Sequence, residues 1–152
     1  MVVESFRVLV CEDDPAMLRI FQFLLRKQGI QTVLTTSDGS KVVPISQREK
    51  PHLILLDLML PGKDGLSVLK DLKNSESTSG IPVIVISGIE SKDQVSLAID
   101  AGAADYVTKP FDSMELGTRL QEFLQALYNT PSTQTGAAGG QNPSGVVPGG
   151  PV

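Results

Sequence analysis

At 152 residues and 41% hydrophobic content, the chain is long enough for one domain with a core of Leu, Ile and Val, plus a short excess. Its net charge of -4 and pI of about 4.9 argue against a general nucleic-acid surface. There is no membrane-length apolar run, no leader pattern at Met1–Phe6, and no partner for the single Cys11, so a cytoplasmic, reducing setting without direct membrane contact is expected.

Strand and helix signals then alternate five times along the chain. Residues 6–11 are short, continuous, apolar and Val-rich, the pattern of a buried strand. Asp14-Pro15 follows as an N-cap and first helical residue, and Met17, Ile20, Phe21, Leu24 and Leu25 form one apolar stripe that ends at Gly29. A weaker strand over 31–36 leads through Ser37-Asp38-Gly39 to a short, Pro-interrupted helix ending near residue 48. His52, after Pro51 at the start of the third strand, reads as structural. That strand, Leu53–Leu56, stops at Asp57, and Pro61-Gly62-Lys63 turns into a helix capped by Asp64 and carrying Leu66, Leu69 and Leu72. A Ser-rich loop over 74–80 precedes a strand over 81–86 and a helix from about Ser91 to Ala101, on which Leu97 is expected to be exposed. The last strand covers about 104–108 and the last helix runs from Asp112 to about Tyr128, with Leu116, Leu120, Phe123, Leu124 and Leu127 facing the core.

Parallel strands need crossover helices, and these strands show no polar alternation, so the expected fold is a doubly wound α/β domain: a five-stranded parallel sheet with five helices. Composition changes sharply near residue 130. Residues 131–152 hold six Gly and four Pro among 22 residues and carry no side-chain charge. Such a segment buries too little apolar surface to offset its ordering entropy, so the expected organisation is a domain over 1–129 and a disordered, flexible tail or linker over 130–152, with no output domain within these 152 residues.

In an open parallel sheet, ligands bind outside the carboxyl ends of the strands. Four strands here end in polar residues: Glu12-Asp13-Asp14, Asp57, Ser87-Gly88 and Thr108-Lys109-Pro110. Carboxylates crowded there repel by about 2 to 4 kcal/mol per pair at an effective dielectric near 20. A hard divalent cation removes that cost, and Mg2+, which takes oxygen ligands and keeps several waters, suits the set. Pro110 restrains the residue before it to extended geometry and so aims Lys109 along the rim, and the Lys109-Pro110 bond is of the kind that adopts either cis or trans form. Ser87, ahead of the unobstructed Gly88, offers a hydroxyl to a phosphoryl oxygen. Together these residues suit a carboxylate that accepts a phosphoryl group.

The segments Val10-Cys11-Glu12-Asp13-Asp14-Pro15, Asp57-Leu58-Met59-Leu60-Pro61-Gly62-Lys63-Asp64-Gly65, Ser87-Gly88 and Asp105-Tyr106-Val107-Thr108-Lys109-Pro110-Phe111 carry a resemblance. Over about residues 6–127 the chain closely resembles the CheY-like receiver domain of two-component response regulators, which have a flavodoxin-like fold. The resemblance implies that Asp57 is phosphorylated by a histidine kinase or histidine phosphotransfer protein. It implies that Glu12, Asp13, Asp57 and the Met59 backbone carbonyl hold Mg2+, and that Ser87 and Lys109 contact the phosphoryl group. Ser87 and Tyr106 would act as the switch, acting on a partner or output through helix four, strand five and helix five, with room for phosphorylation-dependent homodimers. Serine stands where threonine is commoner, which keeps the hydroxyl. Met59 and Ile89, two residues after Asp57 and Ser87, are apolar and cannot orient an attacking water, so slow self-dephosphorylation is expected.

Two other functions fit less well. A phosphohydrolase with an aspartate nucleophile commonly carries a second acidic residue two places on, and Met59 stands there. A flavin-binding protein of the same topology would have a phosphate-cradling first loop, whereas this one is acidic. The expectation is a phosphoacceptor that assists its own phosphorylation and dephosphorylation, not an enzyme.

Overall fold

The computed structural model describes residues 5–129. The tail expected over 130–152 lies outside the described residues. The chain divides into two units at Gln121, and the sheet and site discussed below belong to the first.

The sheet comprises β1 (Arg7–Cys11), β2 (Thr32–Thr36), β3 (Leu53–Leu56), β4 (Val83–Ser87) and β5 (Asp105–Thr108). All pairings are parallel and the spatial order is β2-β1-β3-β4-β5. The crossovers contain α1 (Pro15–Lys27), a 3₁₀ turn (Gly39–Lys41) leading into α2 (Val42–Glu49), α3 (Gly65–Asn74) and α4 (Lys92–Asp100); α5 (Ser113–Asn129) follows β5. This is the flavodoxin-like order, and the winding reverses between β1 and β3.

The apolar runs explain the layering. Every residue of β3 and β4, and of β1 after Arg7, is buried, whereas the edge strands β2 and β5 are partly open. Continuous apolar runs are thus the property of the three central strands, and Thr-rich β2 shows its position in its weaker pattern. Cys11 lies in this core, and burial pushes its thiol far up, so it packs as a neutral apolar group. Helix starts are set by side-chain caps: Asp14 accepts from Ala16, Asp64 from Ser67 and Ser91 from Gln94. On α1 the buried stripe is Phe21, Leu24 and Leu25; Ile20 sits at its margin and Phe23 faces outward. On α3, Val68 joins Leu69 and Leu72 in the core while Leu66 is only partly buried. On α4, Leu97 is exposed as expected.

At the opposite end of the sheet, His52 is structural. Its Nδ1 accepts the Arg7 N–H at 3.0 Å, its own N–H donates to the Arg7 carbonyl, and its ring stacks on Phe6 at 4.9 Å. Partial burial, reinforced by the nearby Arg7 guanidinium, lowers its pKa below 6.5, against the opposing pull of the Arg7 N–H contact. A depressed pKa means the neutral ring is preferred in the folded state. Its stabilising contribution is present above pH 6.5 and is lost as pH falls through the lower folded value. Urea midpoints measured from pH 7.5 down to pH 5 should therefore fall more for the wild type than for His52→Gln.

Candidate functional site

The site forms where the winding reverses, and the parallel register builds it. Cys11 pairs with Leu56, so Glu12 and Asp57 leave adjacent strands side by side. Ser87 pairs with Thr108 within the ladder, one position further than the sequence pattern places the end of β4, and Lys109 follows directly. Each of these residues has its own N–H held by the neighbouring strand: Glu12 by the Thr36 carbonyl at 3.0 Å, Asp57 by Cys11 at 3.1 Å and Lys109 by Ser87 at 2.9 Å. The backbones of the charged residues are thus as fixed as the sheet itself. The Lys109-Pro110 peptide is cis, and Phe111 beyond it stacks on Phe21 of α1 at 5.7 Å.

Lys109 joins the two buried carboxylates. Its Nζ donates to Glu12 Oε1 at 2.7 Å and to Asp57 Oδ2 at 2.8 Å. The second oxygen of each acid is engaged by backbone: Glu12 Oε2 accepts the Asp14 N–H at 3.1 Å, and Asp57 Oδ1 accepts the Met59 N–H at 2.9 Å. Desolvation would lower the Lys109 pKa, but the bonds to Asp57 and Glu12 outweigh it and hold the ammonium above its ordinary value. Lys109 therefore stays charged throughout the physiological range.

Carboxylate oxygens of Glu12, Asp13 and Asp57 lie within 4.8 Å of one another, with Asp13 exposed at the mouth. Three carboxylates facing one ammonium leave two negative charges on an all-oxygen donor set, which fits a hard divalent cation. Met59, whose backbone carbonyl is the fourth ligand that the resemblance implies, follows two residues after Asp57 and is 62% exposed.

Ser87 is fully buried, and its Oγ accepts the Ile89 N–H at 3.4 Å; among the described hydrogen bonds none joins its hydroxyl to Asp57 or Lys109. Tyr106 is half-buried against the core beside Ile89, and its hydroxyl donates to the Ile89 carbonyl. Burial raises the Tyr106 pKa, the neighbouring Ser87 hydroxyl opposes this, and the Asp57 charge adds to the rise. Ile89 thus links Ser87 and Tyr106 through its two backbone groups, a role that sequence reading missed because backbone acceptors leave no residue signature. The β2–α2 turn was also missed as part of the site. Its Gly39 N–H donates to the Pro61 carbonyl at 2.8 Å, and the Asp38-Gly39 pair signals nothing in sequence beyond a turn.

A family model for the response regulator receiver domain matches residues 8–121. The chain is similar to the crystal structure of the BeF3-activated N-terminal receiver domain of RstA from Klebsiella pneumoniae, at 31% identity and a TM-score of 0.70, covering 78% of this chain and 98% of that one. It is similar to the receiver domain of a sensor histidine kinase from Pseudomonas aeruginosa PAO1, crystallised with magnesium coordinated in the active-site cleft, at 28% identity and a TM-score of 0.70, covering 79% and 98%. The Mn2+-bound response regulator Rcp1 is 29% identical, with a TM-score of 0.70 and coverage of 82% and 96%.

Proposed function

Since the chain belongs to the response regulator receiver family, we propose that it is a phosphorylation-controlled switch in which Asp57 takes a phosphoryl group from a histidine kinase or histidine phosphotransfer protein. One observation carries this reading: Asp57 is buried, with Oδ1 held by the Met59 N–H and Oδ2 by Lys109, inside a cluster that suits a divalent cation. Two of the similar structures hold Mn2+ or Mg2+. Among the described residues no helix is long and apolar enough to cross a membrane.

An Asp57 carboxylate oxygen attacks the donor phosphorus in line, forming the new P–O bond. The P–N bond of a phosphohistidine donor breaks, and its electron pair leaves with the imidazole, which is neutral on departure from its protonated form. Lys109, already 2.8 Å from Oδ2, meets the charge on the transferred oxygens. Glu12, Asp13, Asp57 and the Met59 carbonyl would hold Mg2+, which supplies charge neutralisation for the phosphoryl oxygens. The chain assists its own phosphorylation and dephosphorylation without turning over a separate substrate.

The acyl phosphate adds about one to two negative charges near Ser87. By turning its hydroxyl to a phosphoryl oxygen, Ser87 gives up the Ile89 N–H and loosens the loop on which Tyr106 is fastened. The change is a shift between two packings, read on the surface of α4, β5 and α5. There Leu97 and Ile99 are exposed, and Asp105 pairs with Arg119. A partner protein or a second copy would dock on this surface.

Incubation with acetyl phosphate and Mg2+ should add one phosphoryl group (about 80 Da, one HPO3 unit) to the intact wild type and none to Asp57→Asn. If neither acetyl phosphate nor a promiscuous histidine kinase adds mass, the phosphoacceptor reading is wrong. The modified protein should keep its phosphoryl group for minutes or longer, because Met59 and Ile89 offer no polar group to an attacking water. Polar replacements at these two positions should shorten that lifetime, measured as phosphate release. Wild-type loss within seconds, unaltered by the replacements, would contradict the assignment.

A further inference from the structure

The two halves of the proposed metal site lie on different loops. Glu12 and Asp13 follow β1, whereas Asp57 and Met59 begin the β3–α3 loop. One short segment, Thr36 at the end of β2 with the Ser37–Gly39 turn that continues it, touches both. On one side, Thr36, the last residue of β2, accepts the Glu12 N–H at 3.0 Å. On the other, Gly39 is buried, and its N–H donates to the Pro61 carbonyl at 2.8 Å. The turn itself is closed locally: Thr36 Oγ1 accepts the Asp38 N–H at 3.2 Å, and Asp38 Oδ1 accepts from Ser40 N–H at 2.9 Å and Ser40 Oγ at 2.7 Å.

At Gly39 the contact with the β3–α3 loop is made without side-chain slack. A Cβ on Gly39 would lie 2.6 Å from the Lys63 carbonyl oxygen and 3.2 Å from the Lys63 nitrogen, both backbone atoms. Facing it, Gly62 has φ +94°, and a Cβ there would lie 2.0 Å from Asp38 Oδ1. Backbone therefore meets backbone at Gly39, whereas at Gly62 the space is filled by the Asp38 carboxylate. A methyl group at Gly39 cannot be absorbed by a rotamer change and must part the turn from Pro61–Lys63, a segment that begins two residues after Met59.

We infer that the Ser37–Gly39 turn is a positioning strap for the cation, with Gly39 setting how closely the Met59 loop approaches Glu12 and Asp13. This rests on the proposed metal-holding role of Glu12, Asp13, Asp57 and Met59. Gly39 touches neither metal nor phosphoryl group; it acts by fixing the spacing of groups that do.

The test titrates Mg2+ into the full chain and follows the melting temperature, because a ligand that binds the folded state stabilises it in proportion to ln(1 + [L]/Kd). The metal-free melting temperature reports any packing damage, while the Mg2+ midpoint reports positioning. Gly39→Ala should raise the midpoint by about tenfold, the loss typical of a disturbed supporting shell. Its phosphorylation by acetyl phosphate should need correspondingly more Mg2+ and reach the wild-type plateau. An unchanged midpoint overturns the inference even if the metal-free melting temperature drops. If Gly39→Ala does not fold, Asp38→Ala, at a partly exposed position, removes the Ser40 cap and the oxygen facing Gly62. It should move the midpoint in the same direction, and an unchanged midpoint again overturns the inference. A wild type whose melting temperature ignores Mg2+ overturns the metal reading and this inference together, whereas a responsive wild type with unaltered variants overturns the inference alone.

Discussion

Lys109→Met should destabilise the metal-free protein by about 3 kcal/mol, the cost of removing one partner from a buried ion pair, and Mg2+ should restore most of that loss. Lys109 is the cation bonded to both buried carboxylates, Glu12 and Asp57, and its side chain is 17% exposed. Without it the two acids and Asp13 face one another across less than 4.8 Å with no ammonium between them. A divalent ion supplies the missing charge, so the variant should bind Mg2+ more tightly than the wild type while being less stable without it. Its phosphorylation should nevertheless slow by about a hundredfold, because a metal restores the net charge but not the donor aimed at the transferred oxygens. Thermal unfolding with and without Mg2+, paired with the rate of mass gain from acetyl phosphate, measures both effects. Equal metal-free stability in variant and wild type would show that Lys109 does not compensate the acidic cluster.

The residues of this cluster were readable in sequence because each follows a continuous apolar run. β1, β3 and β4 are covered on both faces, so their ends stand out as abrupt polar steps at Glu12, Asp57 and Ser87. Parallel register then does the rest: pairing Cys11 with Leu56 and Ser87 with Thr108 delivers the residues to one rim. The edge strands were harder. β2, with exposed Thr32 and Thr35, lacks the strong run, and the boundary of β4 moved by one residue because the ladder to Thr108 continues through Ser87. What stayed hidden depends on contacts between distant backbones. The Gly39-to-Pro61 bond and the Tyr106-to-Ile89 bond both end on carbonyl oxygens, which every residue carries. Helical spacing likewise placed Ile20 on the core stripe of α1, but a stripe has margins, and Ile20 lies on one.

Gly65→Ala should be among the most damaging single-methyl additions in the chain. Gly65 opens α3, its N–H donates to the Leu58 carbonyl at 3.2 Å, and the residue is buried. A Cβ there would lie 2.3 Å from Leu58 Cα and 2.6 Å from the Leu58 oxygen. Sequence marked Asp64-Gly65 as the start of a helix; the structure adds that α3 is seated directly on the residue after Asp57. Neither side can yield by rotamer change, since both are main chain, so α3 or the Asp57–Met59 segment must shift. Overpacking of this kind costs about 3 kcal/mol, which for a domain of this size is a fall of roughly 10 °C in melting temperature. The displacement reaches Asp57 itself, whose Oδ1 is fixed by the Met59 N–H, so phosphorylation should drop even at temperatures where the variant remains folded. Gly80 is the internal control, because a Cβ there meets nothing within 4 Å. Gly80→Ala should leave both the melting temperature and the acetyl phosphate reaction near wild type. Equal behaviour of the two variants would mean that the close seating of α3 on Leu58 does not hold Asp57 in place.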